Sequence, residues 1–252
     1  MSAESARPIR PRLYLLDVEG TVAPLTLTTD QLFPYARTHV LDFLLQNVND
    51  PAVHADLTLL SEENQTETDR SSPRLPDFKF AGFRDLSQFC LVAMTYVNWL
   101  MDRDRKSTAL KSLQGKIWKA GFESGELKGT LFADVPAAFE RWSKAGQVAI
   151  YSSGSVDAQQ LLFRHTNFGN LTDRIAGYFD TRTGPKTLAA SYAAIAAAMK
   201  IEPAGALFFS DAVRELDAAR DAGFATRLVV REGNAPVDDA CGHPIMHSFD
   251  GI

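Results

Sequence analysis

Leu13-Tyr14-Leu15-Leu16-Asp17-Val18-Glu19-Gly20-Thr21 is a short apolar run that ends on an acid, a second acid and a glycine. A continuous apolar tetrapeptide of this kind fits a strand buried on both faces of a parallel sheet. Three similar runs lie further along the chain. Gln147-Val148-Ala149-Ile150-Tyr151 stops at Ser152, and Ala206-Leu207-Phe208-Phe209 stops at Ser210-Asp211. Thr226-Arg227-Leu228-Val229-Val230 is a fourth. Helical patterns lie between and around them, over Ala133–Ala145, Val156–Arg164 with Ser155 as N-cap, Leu188–Lys200 and Ala212–Ala222. Alternating strands and helices predict an α/β domain, a mostly parallel sheet flanked by helices in a Rossmann-like core.

More than a hundred residues separate the first run from the second, too many for one crossover connection. That stretch carries helical patterns over Asp30–Leu45, Phe83–Leu100 and Lys106–Phe122. The polar segment Ser61–Asp77 reads as an exposed loop. Residues 25–130 are therefore expected to form a helical cap domain, with residues 1–24 and 131–252 forming the core.

The composition narrows the function classes. Of 252 residues, 26 are basic and 31 acidic, and no long basic run occurs, which excludes a polyanion such as DNA or RNA as partner. Cys90–Met101 is too short to span a bilayer and contains Asn98, so no membrane association is expected. Met1–Arg12 has three arginines and no apolar run, so no secretory signal is expected. The two cysteines, Cys90 and Cys241, form no CxxC pair. Together these features predict a reduced, cytoplasmic protein, with a nuclear location open to a eukaryotic chain, and a monomer. Cys241, His243 and His247 lack a close fourth ligand, and Pro244 interrupts helical spacing, so zinc is not expected there.

In open parallel sheets ligands bind outside the carboxyl ends of the strands. Asp17, Ser152 and Asp211 all stand there. Residues two apart on an extended chain share a side, so Asp17 and Glu19 can face one reacting group. An ionised Asp can attack phosphorus, and a second acid can protonate the leaving oxygen. Ser152-Ser153-Gly154-Ser155 ahead of a helix offers hydroxyls and backbone N–H groups to an anion. Lys186, in Gly184-Pro185-Lys186-Thr187, can neutralise phosphate oxygens and a nucleophilic carboxylate. Glu215 lies one turn beyond Asp211; either it turns toward the same pocket or it pairs with Arg214 or Arg220 on the helix surface. Carboxylate oxygens suit magnesium.

These pieces, in this order, resemble the haloacid dehalogenase (HAD) superfamily of aspartate-nucleophile phosphotransferases. The second acid of that family's opening motif is usually Asp; here it is Glu19. Leu16-Asp17-Val18-Glu19-Gly20-Thr21 resembles the enolase-phosphatase branch of the methionine salvage pathway. So do Leu32-Phe33-Pro34-Tyr35, Arg105-Lys106-Ser107-Thr108-Ala109-Leu110-Lys111, Tyr151-Ser152-Ser153-Gly154-Ser155, Gln159-Gln160-Leu161-Leu162-Phe163 and Val229-Val230-Arg231-Glu232-Gly233-Asn234. The likeness covers nearly the whole chain.

The resemblance implies that Asp17, Glu19 and Asp211 hold one magnesium ion per subunit. It implies that Ser152, Ser153 and Lys186 bind the substrate phosphate, and that Asp17, Glu19 and Lys186 are catalytic. The implied substrate is a small phosphorylated diketone, 2,3-diketo-5-methylthiopentyl-1-phosphate. It would be enolised and dephosphorylated to the acireductone 1,2-dihydroxy-3-keto-5-methylthiopentene. The proton bound to carbon is assigned to either Glu19 or a bound water. The competing reading is a broad-specificity HAD-type sugar-phosphate phosphatase. Metal-independent dehalogenases lack the second acid, which Glu19 supplies.

Overall fold

The computed structural model describes residues 11–78, 86–236 and 242–252. Met1–Arg10, the first residues of the expected Phe83–Leu100 helix, and Cys241 of the dismissed zinc group lie outside the described residues. The chain divides into two compact units, Met1–Leu27 with Lys128–Ile252, and Thr28–Leu127.

The first unit is built on a six-stranded sheet. Its strands are β1 (Leu13–Leu16), β2 (Gln147–Tyr151), β3 (Gly177–Phe179), β4 (Ala206–Ser210), β5 (Ala225–Val229) and β6 (Ile245–Met246). They run in the order β3-β2-β1-β4-β5-β6, and every pairing is parallel. The chain winds from β1 outward to β3, then returns to the other side of β1 for β4 to β6. The strand order thus reverses between β1 and β4, the place where such sheets open a crevice at their carboxyl ends. Leu16 stands opposite Phe209, and Asp17 N donates to Phe209 O at 2.9 Å. This register sets Asp17 beside Ser210 at that crevice.

Alternation along the strands distributes the core. Leu13 and Leu15, with Ala149, Tyr151, Ala206 and Phe208, pack against α7 (Ala189–Ala198) and α8 (Val213–Asp221) through Tyr192, Ile195, Leu216 and Ala219. Tyr14 faces the other way. It stacks on Trp142 of α5 (Val135–Ala145) at 5.0 Å, and Phe209 stacks on the same indole at 5.1 Å. Helix α6 (Val156–Arg164) follows β2 with Ser155 as its N-cap, accepting from Ala158 N. Two strands escaped the sequence reading. β3 and β6 are three and two residues long, too short to carry a hydrophobic period.

The second unit is helical, with α1 (Phe33–Asn47), α2 (Pro51–Thr66), α3 (Leu86–Asp102) and α4 (Thr108–Ser124). Its core gathers Val40, Leu44, Leu57, Leu60, Phe89, Tyr96 and Leu113. The expectation of an exposed loop over Ser61–Asp77 is corrected here. Ser61–Thr66 is the end of α2, and Ser61, Asn64 and Ser72 are buried. Asn64 donates to Pro73 O and accepts from Leu75 N, both at 2.8 Å. Ser61 donates to Pro76 O and accepts from Phe78 N. Polar side chains here serve as substitutes for backbone partners, so the segment folds inward despite its composition. Glu63 of α2 also caps α4, accepting from Thr108 N and Ala109 N. Lys106 and Lys111 are exposed. No helix among the described residues is long and apolar enough to cross a membrane.

Candidate active site

β1 ends on Asp17, whose carboxylate accepts from Val18 N at 2.7 Å. The chain then turns sharply. Gly20 adopts φ +72°, and a methyl group placed on it would overlap the Asp211 carboxylate. Only glycine serves at a site that needs both the left-handed backbone and that clearance. Gly20 N donates to Ala23 O, closing the turn.

Lys186 Nζ lies 2.6 Å from Asp17 Oδ1 and 2.6 Å from Glu215 Oε2. The three side chains are 10%, 12% and 16% exposed. Burial by itself would lower the lysine pKa, but the two carboxylates overcome it and raise the value above the ordinary one. The surface alternatives for Glu215 are therefore set aside: it faces inward to Lys186 and accepts from Ser210 Oγ at 3.0 Å, while Arg214 is exposed. Burial, then the charge on Asp17, push its pKa up to about 7. Asp211 is raised to about 6, by burial first and the Asp17 charge second, with Glu19 adding to it.

Lys186 is delivered to this point by main-chain anchors that sequence reasoning missed. Ser191 Oγ donates to Pro185 O, Tyr192 OH to Lys186 O, and Tyr151 OH to Gly184 O, all at 2.7–2.8 Å. The available signal was weak: a serine and a tyrosine among the alanines of α7.

The loop after β2 holds Ser152 half-buried and Ser153 exposed. Ser152 Oγ accepts from Gly154 N, and Gln159 of α6 donates to both Gly154 O and Phe179 O. The expected anion site at the start of α6 is narrower than the sequence suggested. Val156 N is taken by Asp180 Oδ2 and Ala158 N by Ser155 Oγ. Asp180 thus places a carboxylate at the helix start, while the Ser152 and Ser153 hydroxyls stand in the loop before it.

Among the described residues, no three His, Cys, Asp or Glu side chains are gathered tightly enough to make a ready-formed metal cage. The donor set nevertheless fits magnesium, which takes one or two carboxylates and completes its shell with waters and substrate phosphate. Asp17 and Asp211 offer hard oxygens, and the Asp17 charge is near enough to help raise the Asp211 pKa. The buried Asn234 Oδ1 near Asp211 has no hydrogen-bond partner among the described residues.

A profile for haloacid dehalogenase-like hydrolases matches residues 11–223. The Enolase-phosphatase E1 of Synechococcus elongatus is 52% identical over 246 residues, 97% of this chain and 99% of that protein. The chain belongs to the enolase-phosphatase E1 family of haloacid dehalogenase-like hydrolases. The Enolase-phosphatase E1 of Pseudomonas fluorescens is 38% identical, covering 96% of each chain. Among solved structures, the UTR4 protein of Saccharomyces cerevisiae is 34% identical with a TM-score of 0.76, covering 96% of this chain and all of that one. The 2-haloacid dehalogenase of Pseudomonas syringae shares the fold at 16% identity, with a TM-score of 0.53 over 95% of each chain. Family membership makes the chain a phosphatase with a small phosphorylated molecule as its substrate.

Proposed function

We propose that this enolase-phosphatase is an acireductone synthase with Asp17 as nucleophile. It converts 2,3-diketo-5-methylthiopentyl-1-phosphate to 1,2-dihydroxy-3-keto-5-methylthiopentene and phosphate. The observation that carries the site assignment is the buried Asp17–Lys186 pair, 2.6 Å apart at the reversal of strand order.

Asp17, Glu19 and Asp211 would hold one magnesium ion, which would supply Lewis-acid polarisation of the substrate oxygens and offset the charge of the crowded carboxylates. Ser152 and Ser153 hydrogen-bond the phosphate and fix its orientation. Glu19 and a bound water are the two candidates for moving the carbon-bound proton in enolisation. An Asp17 carboxylate oxygen then bonds to phosphorus as the bond to the ester oxygen breaks. Glu19 delivers a proton to that leaving oxygen. In the second half, Glu19 takes a proton from a water, the water oxygen bonds to phosphorus, and the aspartyl–phosphate bond breaks to free Asp17 and inorganic phosphate. Lys186 spreads the charge on the phosphoryl oxygens in both halves. Glu215 and Ser210 keep the lysine aimed at Asp17.

The test supplies the diketo phosphate with magnesium and follows phosphate release together with the ultraviolet absorbance of the acireductone. Both signals are expected at one rate, and Asp17→Asn is expected to abolish both while the far-ultraviolet circular dichroism stays unchanged. Phosphate release from many sugar phosphates, with no chromophore from the diketone, would favour a broad-specificity phosphatase instead. Normal turnover by Asp17→Asn would remove the proposed nucleophile.

A further inference from the structure

The loop after β5 reaches back to the turn that follows the nucleophile. Arg231 anchors it, donating to Thr21 O and His247 O and pairing with Asp134 at 2.9 Å. Three residues on, Asn234 Nδ2 donates to Gly20 O at 2.9 Å and to Val229 O at 3.3 Å. Both of those partners are carbonyls and accept only, so the amide nitrogen must face them. The amide oxygen is thereby forced the other way. It is buried, it has no hydrogen-bond partner among the described residues, and it sits 3.2 Å from where a Gly20 side chain would begin. The same point in space abuts the Asp211 carboxylate. A buried acceptor beside a second acceptor is costly unless a donor lies between them.

We propose that Asn234 is a positioning residue of the metal site, its amide oxygen accepting a hydrogen bond from a water held by the magnesium ion. The inference rests on the site read above. Magnesium parts reluctantly with its waters, so the protein contacts it largely through them, and a metal polarises its waters into strong donors. Neutral Asn234 orients such a water without adding a fourth charge beside Asp17, Glu19 and Asp211. Its nitrogen holds the Gly20 carbonyl at the same time. One side chain thus ties the turn after the nucleophile to the hydration shell of the ion.

The test is calorimetric titration of the metal-free protein with magnesium chloride, without substrate. Asn234→Leu keeps the approximate size and loses the acceptor; its dissociation constant is expected to rise about 10–100-fold, the usual cost of removing a group that orients a metal's ligands. Asn234→Asp keeps the acceptor and loses the donor to Gly20, and is expected to bind at least as tightly as the wild type. Wild-type affinity in Asn234→Leu, or equal weakening in both variants, would overturn the inference, the second result assigning the side chain to the backbone clamp alone. If Asn234→Leu does not fold, Asn234→Asp decides: weakened binding there overturns it. Asp211→Asn separates the two readings, because undiminished binding in that variant would show that the metal site itself is misplaced.

Discussion

Replacing Lys186 by methionine removes one buried cation from between two carboxylates and keeps most of the aliphatic volume. Nζ is 2.6 Å from both Asp17 and Glu215, and each of the three side chains is at most 16% exposed. Taking one partner out of a buried ionic cluster leaves its counter-charges uncompensated, at about 3–5 kcal/mol. For a chain of this size, each kcal/mol moves the melting temperature by about 2–4 °C, so a drop of roughly 6–20 °C is expected. The pH dependence has a definite sign. Glu215 already has a folded-state pKa of about 7 against an ordinary 4.5, raised by burial and by Asp17 while Lys186 pulls it back. Without the lysine it rises further. An acid whose pKa is raised on folding weighs against the folded state once pH exceeds its unfolded value, and does so fully above its folded value. The raised lysine pKa, in contrast, supplies stability throughout the neutral range, being lost only as the amine deprotonates. The deficit of Lys186→Met should therefore be small near pH 4.5 and grow as pH rises through and beyond 7. Melting curves in chelator at pH 5, 7 and 8.5 read this out. A variant melting within about 2 °C of the wild type at pH 8.5 would refute the buried-cluster reasoning, as would a deficit that ignores pH.

Glu19→Gln keeps the size of the side chain but cannot move a proton, and should lower kcat by about 10²–10⁴-fold in steady-state phosphate release. Magnesium affinity should fall as pH drops through about 6, because burial and then Asp17 raise the Asp211 carboxyl to that value and protons compete with the ion. Magnesium titrations at pH 5, 6 and 8 check it, and an affinity constant across that range would exclude Asp211 as a ligand. Chelation should silence the enzyme and added magnesium restore it.

The strands that build the sheet centre were legible because a strand buried on both faces must be apolar throughout. β1 and β2 stand where the runs Leu13–Leu16 and Gln147–Tyr151 placed them. Their C-terminal residues were equally legible as strand ends, since acids and hydroxyls interrupt such apolar runs where the chain leaves the core. Local reading failed where polar residues answer to partners distant in sequence. Asn64 and Ser61 looked like loop residues, yet they are buried because they satisfy backbone groups of residues 73–78. Asp180 could not be foreseen as the cap that removes Val156 N from the anion site, as 24 residues separate them.

Sequence alone determined the parallel α/β core and the family, and it supplied the acids, hydroxyls and lysine from which the reaction is proposed. It did so because apolar periodicity and strand-end residue types are local properties. Tertiary structure alone decided that Glu215 turns to Lys186, that Tyr192 and Ser191 hold the lysine's backbone, and that the Asn234 oxygen faces Asp211. Asn234 meets Gly20 across 214 residues, and Tyr192 and Ser191 reach back only six, but hydrogen bonds at either range have no sequence period from which to read them.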